Sequence, residues 1–278
     1  MENQQNKKKK LAVRLLIVVY LFAMFFPFFW IFVTSFKKSG EIFGEGAFRI
    51  IPENPTLQNY ITVIFDKGIF KSILTSLIVA TVTTLYIILI ATFTAYAISR
   101  FHFKGKSILL GIILAVSMFP QMIVVGPIYN LFMDLGLTNS YGIVLPYSTI
   151  TLPIAVWILV THFNEIPLAL EESAKIDGAS SIQTLFKIVF PLAAPGVFTT
   201  AIIVFIAAWN EFLLTITLNS DPAYHTVPVA ISMLRTQFEI LWGEVAAATT
   251  LVPIPTLLIV LFFQKQIIAG LTQGGVKE

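Results

Sequence analysis

The sequence predicts an all-α integral membrane protein with six transmembrane helices. Of its 278 residues, 56% are hydrophobic and 12% are charged, whereas about a quarter of the residues in a soluble domain are charged. Apolar runs recur at about the 20-residue length that a helix needs to cross the hydrocarbon core. The candidate spans, in chain order, are Leu15–Phe36, Ile73–Ser99, Ser107–Met133, Tyr141–Thr161, Gly196–Leu218 and Val245–Gln264.

The first candidate span follows a run of four lysines, Lys7–Lys10. A basic run before an apolar stretch is also typical of a secretory signal peptide. Here the apolar stretch is too long for one, and no small-residue cleavage site follows it. We therefore interpret it as a retained first transmembrane helix, which the lysines anchor at an anionic leaflet.

The third and fourth candidate spans each contain two prolines. They are Pro120 and Pro127 in the third, and Pro146 and Pro153 in the fourth. A transmembrane helix tolerates proline where neighbouring groups satisfy the freed carbonyls. These prolines are compatible with helices that line a path and equally with ordinary kinks, and the sequence leaves both readings open.

The basic residues predict that both termini are cytoplasmic. With the N-terminus inside, 12 of the 18 lysines and arginines lie in cytoplasmic segments and 6 in external ones. An excess of lysine and arginine in cytoplasmic loops is the rule for membrane proteins. The segment between the fourth and fifth spans is then cytoplasmic.

The chain shows no motif for chemistry of its own. It has no cysteine, which excludes disulfides and thiolate metal sites. Gly105–Ser107 resembles the end of a phosphate-binding loop, but the required earlier glycine is Arg100 and no strand precedes it. His102, His162 and His225 are too dispersed to suggest a metal site. A net charge of only +3 with no basic stripe argues against nucleic-acid binding. Any energy source must therefore be a partner or an ion gradient.

Glu211 is the clearest ionisable residue inside a candidate span. A carboxylate at the bilayer centre costs about 2.5–3.5 kcal/mol on insertion scales and usually has a function. With its neighbours Trp209 and Asn210, Glu211 is a candidate for lining a polar translocation path. The alternative is that Glu211 reaches the outer interface or is paired for structural reasons. A single deep carboxylate weakens an ion-coupled mechanism.

The segment between the fourth and fifth spans predicts two short helices joined by a tight turn. Pro167 suits the first turn of a helix, and Gly178 suits its end. Ser180 and Gln183 form the pattern of a capping box for the second helix, which is amphipathic.

This helix–turn–helix is predicted to dock a cytosolic partner. Acidic residues dominate its first helix, with only Lys175 opposing them, and small residues permit close approach. A helix lying on lipid would instead favour lysine and arginine on its polar face. The predicted docking residues are Glu171, Glu172, Ser173, Ala174, Asp177 and Gly178.

The same stretch resembles the EAA loop of ABC importer permeases. The family pattern is E-A-A, three residues, G, nine residues, then I-x-L-P. Here Glu172–Ala174 fill E-A-A, Gly178 follows at the family distance, and nine residues separate it from Ile188–Pro191. Ser173 replaces the family alanine and Phe190 the leucine, and both changes are mild. The loop-architecture residues are Ser180, Gln183, Ile188 and Pro191.

The resemblance extends over nearly the whole chain. The stretches IDGAS, PLAAPG, WNEF, LWGEVAAA and GLTQGGVKE are similar to sugar-transport permeases, above all to the maltose/maltodextrin type. This implies a type I ABC importer transmembrane domain. Residues 1–69 would hold the N-terminus, the first span and an external segment. Residues 70–263 would form the transmembrane core with the EAA loop at 163–195, and 264–278 a cytoplasmic tail.

The resemblance also implies the function and the partners. The chain would be the permease subunit of an ATP-driven importer of maltose, maltodextrin or a related oligosaccharide, and not an enzyme. It would act with a second related permease, two copies of a cytosolic ATPase and an extracytoplasmic sugar-binding protein. The EAA loop would form the coupling helix that seats in the ATPase.

Several further expectations follow from the family. The chain would bind no cofactor, because the ATPase uses ATP and Mg²⁺. The tail residues Gly274, Gly275, Val276 and Lys277 are predicted to reach the ATPase, with a frayed end as the alternative. An ion-gradient-driven secondary transporter is the alternative function.

Overall fold

The computed structural model describes residues 2–235 and 240–273, and the side chains of residues 10–235 and 240–266. In this described part the regular elements are helical, and a single isolated bridge pairs Arg235 with Ile240. The α-helices are α1 (Glu2–Ser35), α2 (Ser39–Phe43), α3 (Gln58–Ile61), α4 (Ile69–Arg100), α5 (Lys106–Ser117), α6 (Gln121–Asp134), α7 (Ser148–Asn164), α8 (Leu168–Ile176), α9 (Ser181–Thr184), α10 (Phe190–Leu192), α11 (Ala194–Trp209), α12 (Leu213–Leu218), α13 (Val227–Ser232), α14 (Trp242–Leu251) and α15 (Pro253–Gln273). π-helical turns lie at Thr62–Asp66 and Leu185–Val189, and 3-10 turns at Tyr141–Val144 and Pro222–Tyr224.

Four helical stretches of the described chain are long and apolar enough to cross a membrane. They are Lys10–Ser35, Ile69–Arg100, Tyr141–Asn164 and Trp242–Gln266. Two bent pairs raise the number of spans to as many as six: α5 with α6, bent by 91°, and Ser181–Leu192 with α11, bent by 81°. The predicted all-α membrane fold is therefore confirmed.

The predicted third span, Ser107–Met133, is not one continuous helix. It is broken between α5 and α6, where Pro120 stands in the N-cap position of α6 at φ −59° and ψ 124°. Proline has no amide hydrogen to donate and disfavours helical conformation in the residue before it. Pro127 and Pro153, by contrast, remain inside α6 and α7.

The predicted fifth span, Gly196–Leu218, is also interrupted. Helix α11 ends at Trp209, and three residues separate it from α12, which begins at Leu213. No proline or glycine marks this break. It coincides with Glu211, whose carboxylate accepts hydrogen bonds from the Leu214 and Thr215 amides in the first turn of α12.

The described residues divide into two compact units, the first drawn from Met1–Phe70 and Ile231–Ile254. In this unit the Asn59 amide donates to the carbonyls of Ser35, at 2.8 Å, and Lys37, at 2.9 Å, just where α1 ends. A Cβ on Gly243 would lie 2.7 Å from the Asn59 side chain, so a larger residue there would displace the amide that makes these bonds. The Lys37 ammonium is buried, donates to the Ala47 carbonyl at 2.8 Å and lies over the ring of Trp30.

The second unit is drawn from Lys71–Ala230 and Pro255–Glu278. Its apolar core packs α4, α7 and α11 together, with Ile87, Leu159 and Val204 fully buried. Leu185 and Val189, from the segment after α9, belong to the same core. The core therefore holds the predicted helix–turn–helix in place.

Candidate functional site

The first helix of the predicted EAA loop is α8, and it ends just before Gly178 in the way that the sequence predicts. Gly178 lies at φ +84°, in the left-handed region. Its amide donates to the Lys175 carbonyl at 3.1 Å, and the Ala179 amide donates to the Ala174 carbonyl at 2.9 Å. These two bonds form a Schellman motif, which satisfies carbonyls at the end of α8 and reverses the chain.

The second helix of the loop begins with the predicted capping box. Ser180 Oγ accepts from the Gln183 amide at 3.3 Å, and Gln183 Oε1 accepts from the Ser180 amide at 2.9 Å. A π-helical turn and α10 continue from α9, with Ile188 half-buried and Pro191 exposed. The chain then bends by 81° into α11.

Most of the predicted docking residues are exposed. Glu172, Ser173, Asp177 and Gly178 lie on the outer face of α8 and its turn. Large apolar side chains share the exposed surface of the loop: Leu168, Leu170, Ile176 and Ile182, of which Ile176 is 87% exposed. The loop thus presents carboxylates among small and apolar residues.

Glu171 and Ala174 differ from the rest of that predicted set, because both face inward. Glu171 is 2% exposed and Ala174 is 6% exposed. They are three residues apart and therefore share one side of the helix. The acidic and small residues of the loop predict both as docking residues, whereas the structure places them against the chain's own core.

The Glu171 carboxylate is fully engaged within the chain. Its Oε1 accepts from Arg100 Nε in a buried ion pair, and its Oε2 accepts from the Tyr96 hydroxyl at 3.1 Å. Arg100 Nη2 also donates to the carbonyls of Phe163, at 2.8 Å, and Ile166, at 3.2 Å. The last turn of α4 is therefore bonded both to α8 and to the end of α7.

Sequence reasoning did not identify Arg100 and Tyr96 as site residues. In the sequence Arg100 is one of the basic residues that orient the chain, and it stands where a phosphate-binding loop would need glycine. Its contact with Glu171 joins residues 71 positions apart, which no local pattern reveals. The available signal was an arginine at the end of a long apolar helix, where a buried charge needs a partner.

A second polar cluster surrounds Glu211, which is 7% exposed. Glu211 Oε1 accepts from Gln121 Nε2 at 3.0 Å and from the Leu214 amide at 2.7 Å. Its Oε2 accepts from the Thr215 amide at 3.2 Å. Thr215 in turn shares a 2.6 Å hydrogen bond with the Tyr147 hydroxyl. The carboxylate therefore has a structural role at the break between α11 and α12.

The neighbours of Glu211 take different positions. Trp209 is 2% exposed and stacks on Phe205 with ring centroids 5.9 Å apart. Asn210 is exposed, and its amide donates to the Ile206 carbonyl at 2.8 Å. Beside the cluster lies a cavity of about 460 Å³, lined by Val116, Ser117, Phe119, Gln121, Val124, Thr149 and Ile150. Gln121 belongs to both, so the Glu211 cluster borders this cavity.

No metal-binding constellation occurs among the described residues, where no three histidines, aspartates or glutamates lie together. The predicted tail contacts at Gly274, Gly275, Val276 and Lys277 lie outside the described part of the chain.

Comparison with known proteins decides the family. The profile of binding-protein-dependent transport system inner membrane components matches residues 87–273. The chain belongs to this family. It is thus a multi-pass permease subunit of an ABC importer in the inner membrane, and the resemblance inferred from the EAA loop is confirmed.

Curated relatives match the permease over most of its length. A trehalose/maltose transport system permease protein of Thermococcus litoralis is 38% identical, with 97% of this chain and 99% of the relative covered. A trehalose transport system permease protein of Mycobacterium tuberculosis is 40% identical, covering 90% and 92%. A sulfoquinovosyl glycerol transport system permease protein of Agrobacterium fabrum is 38% identical, covering 91% and 88%.

The fold of the permease is also found in a solved structure. A crystal structure of a bacterial ABC transporter involved in the import of the acidic polysaccharide alginate contains a similar chain, with a TM-score of 0.79. The two chains are 21% identical, and the match covers 94% of this permease and 97% of that chain.

Proposed function

We propose that the permease is the pore-forming subunit of an ATP-driven sugar importer, for maltose, maltodextrin, trehalose or a related oligosaccharide. The observation that carries the proposal is the 38% identity, over nearly the full length of both chains, to the trehalose/maltose permease of Thermococcus litoralis. The trehalose permease of Mycobacterium tuberculosis supports the same class of substrate.

The exposed face of the EAA loop is the proposed docking site for a cytosolic ATPase. Glu172 and Asp177 offer carboxylates to lysine or arginine of the partner, and Ser173 and Gly178 leave room for close approach. The exposed apolar side chains, Ile176 above all, supply surface to bury in the interface. With both termini cytoplasmic, as the basic residues predict, this loop faces the cytoplasm.

The complete importer would contain this permease, a second related permease, two copies of the ATPase and an extracytoplasmic sugar-binding protein. ATP and Mg²⁺ would be held by the ATPase, so this chain would carry out no hydrolysis. ATP binding would close the ATPase dimer and move α8. The spans would then switch the translocation path from inward-facing to outward-facing. An ion-gradient mechanism gains no support from Glu211, whose carboxylate is occupied by hydrogen bonds within the chain.

Co-purification of the ATPase tests the coupling proposal. The permease is coexpressed with its candidate ATPase and second permease, either unchanged or with Glu172→Lys. Charge reversal in the docking face is expected to reduce the retained ATPase about tenfold or more, which corresponds to about 1.4 kcal/mol of binding. Glu45→Lys is the matched control, because Glu45 is exposed in the predicted external segment. Sugar uptake that persists without any ATPase would overturn the proposal.

Calorimetry on the importer's binding protein tests the substrate class. Maltose, maltotriose and trehalose are titrated into the purified binding protein, with sulfoquinovosyl glycerol as the contrasting ligand. We expect saturable binding of at least one of the glucose oligomers. Binding of sulfoquinovosyl glycerol alone would show that the substrate assignment is wrong, while leaving the ATPase coupling intact.

A further inference from the structure

We propose that Arg100 is a positioning residue that ties the coupling helix to a membrane span. The Arg100 junction consists of Tyr96, Arg100 and Glu171 with the carbonyls of Phe163 and Ile166. Through it, a displacement of α8 by the ATPase is passed directly to the end of α4. The inference rests on the proposed function, because it concerns how the force of a docked ATPase enters the membrane.

The junction is buried and its polar groups are matched. The side chains of Arg100 and Glu171 are 7% and 3% exposed. Both carboxylate oxygens of Glu171 accept hydrogen bonds, one from Arg100 and one from Tyr96. Arginine suits this position because its planar guanidinium holds several acceptors in fixed directions, whereas lysine offers a point charge on a flexible stem.

Helix α8 otherwise packs against the second half of its own loop, namely α9 and the π-helical turn Leu185–Val189. Of its nine residues only Glu171 and Ala174 are buried, and alanine contributes little contact area. The attachment of α8 to the body of the unit therefore depends largely on the Glu171 carboxylate. A force applied to the exposed face of α8 is therefore transmitted to α4 mainly through the ion pair between Glu171 and Arg100.

An aromatic contact joins the second helical segment of the loop to α4 as well. Phe93, two turns before the end of α4, meets Phe186 edge-to-face with centroids 5.8 Å apart. Leu185, next to Phe186, is buried in the core that α4 lines. Both helical segments of the loop thus rest on the last turns of α4, so that the loop and the span are expected to move as one body.

If the ion pair only stabilises the fold, its effect on stability should account for any loss of transport. Removing one member of a buried pair leaves the other charge unpaired and destabilises the protein, whereas replacing both members by apolar residues is often tolerated. The double variant Arg100→Met/Glu171→Leu is therefore expected to keep the fold at a small cost in stability, because the buried Tyr96 hydroxyl loses its acceptor. The variant removes the directed hydrogen bonds without leaving a buried charge unpaired. This double variant therefore allows an effect on force transmission to be measured separately from an effect on stability.

The experiment uses the complete importer reconstituted in vesicles with its binding protein. Three quantities are measured: the ATPase retained per permease, the thermal unfolding midpoint, and the sugar transported per ATP hydrolysed. Lys104→Met is the matched control, because Lys104 is an exposed cation on the loop that follows α4. Arg100→Lys tests whether the charge alone is sufficient.

For the double variant we expect near-normal ATPase retention and unfolding midpoint, with sugar transported per ATP reduced about tenfold. Arg100→Lys should fall between the double variant and the wild type, and Lys104→Met should match the wild type. A double variant that is folded and transports with the wild-type ratio would overturn the inference. Loss of ATPase retention in the folded double variant would also overturn it, because the pair would then act in docking. If the wild-type complex itself retains no ATPase, the proposed function fails instead.

Discussion

At the scale of single residues, Gly178 shows how one backbone conformation shapes the docking face. Its φ of +84° is left-handed, and a Cβ placed there would meet no atom within 4 Å. The cost of substitution is therefore conformational, about 1 kcal/mol or more for residues with a β-carbon, and least for asparagine. A larger side chain would in addition protrude from the proposed docking face for the ATPase.

We therefore expect a graded effect at position 178. Gly178→Asn should lower the unfolding midpoint slightly and retain most of the ATPase. Gly178→Val should lower both more strongly, because a β-branched residue is poorly tolerated at positive φ. Thermal unfolding and ATPase retention of the purified complex measure the two effects. Equal results for the two variants would show that the turn does not depend on its left-handed glycine.

Gly196 is required for a different reason, which is close packing between α11 and α7. A Cβ on Gly196 would lie 2.3 Å from the His162 ring. We expect Gly196→Ala to destabilise the fold by about 1–3 kcal/mol, the range for overpacking a core. Thermal unfolding of the purified permease would measure the loss.

Two further variants test the steric cause at Gly196. Gly111→Ala is the matched control, since Gly111 lies inside α5 and a Cβ there meets no atom within 4 Å. It should be neutral or stabilising, because alanine is the better helix former. Adding His162→Ala to Gly196→Ala should recover part of the lost stability. No recovery in that double variant would place the cause of the loss elsewhere.

At the scale of elements, the sequence predicts what is local and misses what is distant. The Schellman end of α8 and the capping box at Ser180 depend on residues a few positions apart, so their spacing was sufficient. The break at Pro120 has a local cause as well. The break after Trp209 depends on Glu211, which gains a bond from Gln121, 90 residues away in the sequence. The same holds for Glu171, whose burial depends on Arg100 in another helix.

The beginning of α12 provides a test of Glu211. Glu211→Ala removes the acceptor for the amides of Leu214 and Thr215 and leaves the Gln121 amide without its partner. We expect a loss of about 1–3 kcal/mol, as for other buried groups that lose a partner. Glu211→Gln should cost less, because one oxygen still accepts. The unfolding midpoint of the purified permease measures both.

The control for Glu211 is Asp134→Asn, which changes an exposed carboxylate at the end of α6. It should leave the midpoint unchanged. If Glu211→Ala also leaves it unchanged, the carboxylate is not needed to start α12. If Glu211→Gln folds normally but transports poorly, the predicted path-lining role of Glu211 gains support.

At the scale of the whole molecule, the spans differ in how much of their surface the chain itself covers. In an apolar 18-residue stretch of Tyr141–Asn164, 56% of the residues are buried, whereas in that of Lys10–Ser35 the share is 6%. The family match begins at residue 87, well after that first span. The exposed apolar side chains of the first span suit contact with lipid, because apolar side chains are stable in the hydrocarbon core without protein contacts.

The predicted orientation of the whole chain is open to a direct test, because the sequence contains no cysteine. Single cysteines are introduced at exposed positions: Lys104→Cys between the second and third spans, Asn54→Cys after the first span, and Ser220→Cys after α12. If the excess of basic residues orients the chain as in other membrane proteins, Lys104 is cytoplasmic and the other two positions are external. A membrane-impermeant maleimide should then label Asn54→Cys and Ser220→Cys in intact spheroplasts, and Lys104→Cys only in inverted vesicles. Complete labelling of all three in detergent is the control. Labelling of Lys104→Cys from outside would reverse the orientation and place the EAA loop on the side of the membrane that has no ATPase.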